Sequence, residues 1–229
     1  MNPALDAQTL LERHVLAGGV MMVFLVPLAL LLVAFAVQGL VNLRRGRVCP
    51  RRFGADLAAA LASAGGDRAG IDAFLSRHPS NIGRALHRVL RHLEMKRDAD
   101  PAEVLRAEIE EECAALRQRN GQLAVVYNVA PLMGLLGTVF GLLRAFAEFA
   151  RSANPDIAEL SAGVNLALLT TAWGLSIAIP AYLVLYLFLR RIGAYERLVM
   201  PEVGMDALVA ILRTGAIDHP SSQQVRREG

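Results

Sequence analysis

Charged residues are absent from three long windows of this 229-residue chain, although they make up 20% of its composition. The windows cover residues 15–41, 120–143 and 160–189 and are 27, 24 and 30 residues long. About 20 consecutive apolar residues are enough to cross the hydrocarbon core of a bilayer as a helix. The missing charges therefore argue against an ordinary soluble domain and predict three transmembrane helices.

Cysteine is scarce as well, since Cys49 and Cys113 are the two copies in the chain. Both lie in the charged segment after the first window, where two thiols without histidine at ligand spacing favour neither a disulfide nor a zinc site. The sequence also has no nucleophile–base pair, phosphate-binding glycine loop or metal-ligand spacing. We therefore predict that the protein is not an enzyme and uses no cofactor and no metal.

Basic residues are distributed unevenly around the three windows. Of the 24 lysines and arginines, 15 lie in residues 42–122 and six in residues 190–229. The positive-inside rule predicts that these two segments are cytoplasmic and that residues 1–14 and 144–159 face the opposite compartment. Because such charges also lie beside anionic lipid, the basic composition does not indicate a nucleic-acid partner.

An alternative interpretation of the first window is a cleaved signal peptide, because Ala34-Phe35-Ala36 has the small–x–small pattern of a cleavage site. The window is too long for that role, and the segment before it carries Asp6 and Glu12 against the single basic residue Arg13. We therefore expect a membrane helix that is retained.

These observations divide the chain into seven segments. They are an N-terminal extracytoplasmic or interfacial segment (1–14), transmembrane helix 1 (15–41), a cytoplasmic helical region (42–122), transmembrane helix 2 (123–143), a loop (144–159), transmembrane helix 3 (160–189), and a cytoplasmic C-terminal helix and tail (190–229).

Helical periodicity runs through the charged segments, and no strand-like alternation is found. We predict helices over 53–64, 68–76 and 80–96, one unbroken helix from Pro101 to Ala150, a helix from Ile157 that Pro201 ends, and an amphipathic piece over 203–212. Asp100 is the expected cap of the long helix. The tail over 219–229 is expected to be disordered. The predicted fold is an all-α integral membrane protein whose helices two and three extend far into the cytoplasm.

Small residues recur at helical spacing on helices two and three. Gly134, Gly137 and Gly141 share one face of helix two, and Gly174 and Ala178 share one face of helix three. Small residues let helix backbones approach closely in lipid, so packing alone explains these faces. Threonines on or beside them also suggest the walls of an intramembrane site.

Ionisable side chains, which mark ion pathways in membranes, are missing from helices two and three between residues 120 and 143 and between 160 and 189. Asn128 and Asn165 are the most polar side chains there. Either the chain conducts no ion, or a partner supplies the titratable group.

Two stretches carry a resemblance to a known family. Residues 130–141 (APLMGLLGTVFG) and 167–181 (ALLTTAWGLSIAIPA) resemble the helix-two and helix-three signatures of the MotA/TolQ/ExbB proton channel family, with the three-helix TolQ and ExbB branch most similar. One departure is Leu166, since members of that branch usually have a glutamate there.

The resemblance implies a protein of the bacterial inner membrane with a periplasmic N-terminus and a cytoplasmic C-terminus. It further implies a homopentamer whose helices two and three surround a central pore. An ExbD- or TolR-like partner with a single membrane span would carry an aspartate into that pore. Thr138 and Thr171 occupy the family's pore-facing threonine positions. The predicted pathway residues are Thr138, Thr171, Thr170 and Asn165, and the predicted packing residues are Gly134, Gly137, Gly141, Gly174, Ala178, Pro131 and Pro180.

The leading hypothesis is an energiser subunit, driven by the proton-motive force, that powers transport or envelope maintenance in the periplasm or outer membrane. The alternative is a structural scaffold in which the small-residue faces drive oligomerisation without ion conduction. A third reading, half of a secondary transporter, is disfavoured because three spans contain no inverted repeat.

Overall fold

In a computed structural model, residues 21–63, 67–96, 98–151 and 157–215 are described, and their regular structure is helical throughout. The helices are α1 (Met22–Asn42), α2 (Arg45–Val48), α3 (Phe53–Ser63), α4 (Arg68–Arg77), α5 (Asn81–Met95), α6 (Pro101–Asn120), α7 (Gln122–Arg151), α8 (Ile157–Ala194), a π-helical turn (Tyr195–Val199) and α9 (Met200–Thr214). The predicted segment 1–14, the first part of the first window and the tail over 219–229 lie outside the described residues.

Three helical stretches are long and apolar enough to cross a membrane, as the sequence predicts. They are Met22–Asn42, Pro101–Arg151 and Ile157–Thr214. The chain separates into two compact units, and the described residues of the first are 21–38, 121–151 and 157–186. We call this part the membrane unit. Its core joins Met22 and Leu25 of α1 to Val126 and Ala130 of α7 and to Ile177, Ala178 and Ala181 of α8.

The described residues of the second unit are 39–63, 67–96, 98–120 and 187–215. Its core follows the periodicity read from the sequence, because the apolar stripe of α5 is fully buried. That stripe consists of Ile82, Leu86, Val89, Leu90 and Leu93. Leu105, Ile109 and Leu116 supply the buried stripe of α6. The core of this unit is therefore built from the apolar faces of packed amphipathic helices.

An ionic cluster joins α5 to α6 beside this core. Arg84 and Arg88 both donate to Glu112 at 2.8 Å, Asn81 donates to it at 2.9 Å, and Arg88 also bonds Glu108. Burial alone would raise the pKa of Glu112, but the hydrogen bonds and charges of the two arginines outweigh burial and hold that pKa below its ordinary value. The carboxylate is therefore a stable ionised partner.

The long helix predicted from Pro101 to Ala150 is interrupted at one residue, which corrects the expectation of an unbroken element. A turn at Gly121 separates α6 from α7, and the Ala124 N–H bonds the Gly121 carbonyl at 2.9 Å. Glycine is a poor helix former because it has the most backbone freedom to lose. The start is as expected, since the Ala102 N–H donates to Asp100 Oδ1 at 3.0 Å.

Pro201 does not end the third long helix, and this expectation was wrong. The regular α8 runs to Ala194, the π-helical turn follows, and α9 begins at Met200 with Pro201 in its first turn. Proline is tolerated in a first turn because the N–H that it lacks would have no partner within the helix there. Pro201 therefore marks the start of α9 and not the end of α8.

Candidate functional site

The small-residue faces of α7 and α8 meet backbone to backbone inside the membrane unit. A Cβ added to Gly174 would lie 2.6 Å from the Ala130 carbonyl oxygen, and one added to Gly134 would lie 3.0 Å from the Thr170 carbonyl oxygen. The first distance is shorter than real Cβ contacts show and the second is tighter than most of them, so a side chain at either position would force the facing backbone to shift. We call this contact line the glycine seam.

The seam continues toward the C-terminal end of α7. A Cβ on Gly137 would lie 2.6 Å from Thr170 Oγ1, and one on Gly141 would lie 2.9 Å from Ala167 Cβ. Gly163 meets Ala145 in the same way. Close approach along a line of small residues is how helices associate strongly in lipid. The small faces of α7 and α8 are therefore packed against each other within the chain.

Two threonine hydroxyls of α8 converge on one carbonyl of α7. Thr171 Oγ1 donates to the Gly134 carbonyl oxygen at 3.1 Å, and Thr170 Oγ1 lies 3.3 Å from the same atom and donates to Ala167 at 2.7 Å. Thr170 is 2% exposed, whereas Thr171 is half-buried. The Thr170 side chain is therefore enclosed in this conformation, whereas that of Thr171 keeps an accessible edge.

Thr138 and Asn165 lie away from the seam. The Thr138 hydroxyl donates to the Leu135 carbonyl of its own helix at 2.6 Å, and its side chain is half-buried. Asn165 is exposed. A hydroxyl that bonds its own backbone satisfies itself in lipid and can turn to another acceptor. Thr138 and Asn165 therefore remain available to groups outside this chain.

The remaining packing candidates differ in their surroundings. Ala178 is buried in the core beside α1, Pro131 is half-buried within α7, and Pro180 is exposed within α8. Each proline removes one backbone donor from its helix.

Trp173 Nε1 is buried without a hydrogen-bond partner among the described residues. The indole N–H is thus an unused donor inside the membrane unit.

The outer surfaces of α7 and α8 are strongly apolar. Their exposed large side chains include Leu132, Leu135, Val139, Phe140, Leu168, Leu175, Ile179 and Leu183. No acid or base lies among residues 121–143 or 160–189, and the described residues hold no group of three or more potential metal ligands. The chemistry available here is hydrogen bonding by hydroxyls, amides and carbonyls.

Sequence reasoning found the residues of the seam but not their mutual geometry. The convergence of Thr170 and Thr171 on Gly134 depends on the rotation of α8 about its axis, which periodicity alone does not fix. The ionic cluster was also missed. Its signal is present in the sequence, because Glu108 and Glu112 are four residues apart and lie beside the apolar stripe of α6.

Comparison with known proteins places these residues in a family context. A sequence profile of the MotA/TolQ/ExbB proton channel family matches residues 77–199. The chain is 40% identical over 77 residues to the biopolymer transport protein ExbB of Salmonella typhimurium, an alignment that covers 34% of this chain and 32% of the relative.

Two further relatives give the same picture. The biopolymer transport protein ExbB of Pseudomonas putida is 36% identical over 104 residues, covering 45% of this chain and 31% of the relative. The Tol-Pal system protein TolQ of Haemophilus influenzae is 35% identical over 86 residues, covering 38% of each chain. The chain spans about a third of the length of these relatives.

Proposed function

The chain belongs to the MotA/TolQ/ExbB proton channel family, and from this premise we propose that it is an energiser subunit of the bacterial inner membrane. It would couple proton flow to work on the periplasmic or outer-membrane side, such as transport or envelope maintenance. The observation that carries the proposal is a pair of uncharged membrane helices with hydroxyl groups and no carboxylate.

A partner must then supply the titratable group. The proposed partner is an ExbD- or TolR-like subunit whose single membrane helix carries an aspartate. A charged carboxylate in a membrane costs several kcal/mol unless it is solvated or paired, so it tends to be neutral there. Hydroxyls of Thr138 and Thr171 can solvate the ionised form without a competing charge. Each proton that crosses 100 mV releases roughly 2.3 kcal/mol.

The proposed assembly is a homopentamer around a central pore, which rests on the family resemblance. The exposed Asn165 supports an additional contact, since an amide in lipid gains from a polar partner on another helix. In this arrangement the N-terminus is periplasmic and the C-terminus cytoplasmic. Leu166 stands at the position of the family glutamate, so this position does not assign the chain to the TolQ or the ExbB subfamily.

Substitution of the two accessible threonines tests this function. Thr138→Val and Thr171→Val keep the side-chain shape and remove the hydroxyl, and we expect both variants to insert normally but to lose partner-dependent proton flux in proteoliposomes. Thr138→Ser and Thr171→Ser are the matched controls, because they keep the hydroxyl. Wild-type flux in both valine variants would refute the proposed pathway.

The glycine seam weighs against the scaffold alternative, because the small-residue faces that it requires are packed against each other within one chain. Gly134→Leu separates the two readings. We expect this variant to misfold within the membrane unit, whereas a scaffold with an outward glycine face would yield a folded protein that fails to oligomerise. Size-exclusion chromatography with light scattering, together with circular dichroism, distinguishes these results.

A further inference from the structure

An arginine-lined cavity lies in the second unit. It has a volume of about 400 Å³, and four arginines line it without any aspartate or glutamate. The arginines are Arg47, Arg77, Arg84 and Arg119, and His78 and Ser80 also contribute to the wall. Cationic side chains gathered on one small concave surface create a positive potential.

Only one of these arginines is neutralised within the described part of the chain. Arg84 pairs with Glu112 at 2.8 Å, whereas Arg47, Arg77 and Arg119 are exposed and make no ion pair among the described residues. Arg47 has a weak contact of 3.4 Å with Asn42 Oδ1. Three guanidinium groups therefore have donors free for an anion.

The start of α5 adds to the positive potential. Ser80 caps this 15-residue helix by accepting from the Gly83 N–H at 3.2 Å, and both Ser80 and Asn81 line the cavity. The first turn of a helix carries a partial positive charge that favours anions. A planar guanidinium beside such a turn suits a phosphate group, which can accept two parallel hydrogen bonds.

The chain position of the cavity indicates where its ligand comes from. Asn42 is the last residue of α1, a candidate membrane span, and Arg119 lies three residues before α7 begins at Gln122. Residues at the ends of membrane-spanning helices lie at the level of the lipid headgroups. Basic pockets at this level bind anionic headgroups.

We propose that this cavity is a binding site for an anionic phosphate group, with Arg47, Arg77 and Arg119 as its direct ligands. Two sources carry this chemistry, namely the phosphodiester headgroup of an acidic phospholipid and free phosphate in solution. The proposal concerns a bound ligand and is independent of proton conduction, so it can fail while the energiser function holds.

The test is native mass spectrometry of the full-length protein in detergent, with phosphatidylglycerol, phosphatidylcholine or inorganic phosphate added. We expect wild-type protein to retain phosphatidylglycerol in preference to phosphatidylcholine. Arg77→Gln with Arg119→Gln should weaken this binding by about tenfold. Arg51→Gln with Arg52→Gln is the matched control, because it removes two exposed arginines that follow the same span and do not line the cavity.

A second variant guards against loss of folding. A Cβ added to Gly46, which lines the cavity, meets nothing within 4 Å, so Gly46→Glu places a carboxylate there without a steric clash. We expect it to weaken binding as strongly as the double arginine variant while the melting temperature is unchanged.

The arms of the experiment have distinct readings. Displacement of phosphatidylglycerol by inorganic phosphate, or phosphate binding alone, supports the site and identifies the soluble source. Equal retention of phosphatidylglycerol by wild type, cavity variants and control would overturn the proposal, since the lipid would then be bound nonspecifically. Binding of neither probe would also overturn it and would point to an acidic peptide.

Discussion

Thr170 and Thr171 are neighbours in the chain, yet they do different things in the helix pair. The Thr170 hydroxyl is enclosed and bonds Ala167, whereas the Thr171 hydroxyl bridges to Gly134 from a half-buried position. A second acceptor can compete for the Thr171 proton without opening the helix pair. This difference in accessibility supports the pairing of Thr171 with Thr138 in the proposed pathway, which rests on the family's threonine positions.

Gly174→Ala should destabilise the membrane unit. The added methyl group would lie 2.6 Å from a backbone carbonyl that cannot move aside, and overpacking of this kind costs about 1–3 kcal/mol. Gly54→Ala is the matched control, because a Cβ there meets nothing within 4 Å and alanine gains up to about 1 kcal/mol in a helix. Thermal unfolding in detergent should move in opposite directions for the two variants, and equal shifts would contradict the seam.

Glu112 should make the stability of the second unit depend on acid pH. Its folded pKa is lowered from 4.5, so its contribution is complete above pH 4.5 and is lost as pH falls through the lower folded value. Glu112→Gln should reduce stability at neutral pH by about 1–3 kcal/mol and flatten the acid limb of the unfolding curve. Glu111 is an exposed neighbour, so Glu111→Gln should leave both the neutral-pH stability and the acid limb unchanged. If the acid limb persists in Glu112→Gln, the acid dependence belongs to a group other than Glu112.

At the scale of elements, α5 shows how a local signal fixes a helix. Ser80 occupies the N-cap position, and its side chain satisfies the Gly83 N–H. The cap, the apolar stripe and the amphipathic pattern all agree, so the element is found within one residue of its predicted start. Agreement of several local signals is what makes an element predictable.

Ser80→Ala should destabilise the second unit by about 1 kcal/mol, because one helix N–H loses its acceptor. Ser76→Ala is the control, since Ser76 bonds the Ala73 carbonyl of α4 from an exposed position and caps nothing. Thermal unfolding of the two full-length variants provides the measurement. Equal melting temperatures would show that the cap contributes no stability.

The limits of sequence reasoning also lie at this scale. Gly121 and Pro201 both lie where one helix gives way to the next. Whether the helix breaks or continues at such a residue depends on packing with the rest of the chain, which the sequence does not display. The members of the glycine seam were identifiable from spacing, whereas the partner of each threonine was not. The arginine-lined cavity gathers residues from α2, α4, α5 and α6, so no local pattern reveals it.

At the scale of the molecule, the two units are stabilised by different interactions. The membrane unit relies on backbone contact between small residues, as lipid removes the hydrophobic driving force between helices. The second unit relies on a leucine- and isoleucine-rich core and an ionic cluster. Detergent and lipid composition are therefore expected to affect the first unit, and pH the second.

The native cysteines should not react with maleimides in the folded protein. Cys49 and Cys113 are free and buried. Burial raises the pKa of the Cys49 thiol, and burial together with Glu196 raises that of Cys113 to about 11. Because the thiolate is the reactive form, neither residue should label near pH 7 without denaturant.

This background allows a direct test of topology. We expect a membrane-impermeant maleimide to label Ala147→Cys in intact spheroplasts and to label Met95→Cys only after permeabilisation, because the positive-inside rule puts these exposed residues on opposite sides. Wild-type protein is the control for native cysteines. Labelling of Met95→Cys in intact spheroplasts would reverse the proposed orientation.

The seam between α7 and α8 has a mechanical consequence. Where main chain touches main chain, as at Gly134 and Gly174, there are no side-chain rotamers to exchange, so α7 and α8 are expected to move together along this contact. When the helix pair moves, we expect the movement to occur at the outer faces of α7 and α8, where leucine and phenylalanine side chains contact lipid or a neighbouring helix. The glycines would thus set which surfaces of the protein can slide and which must move together.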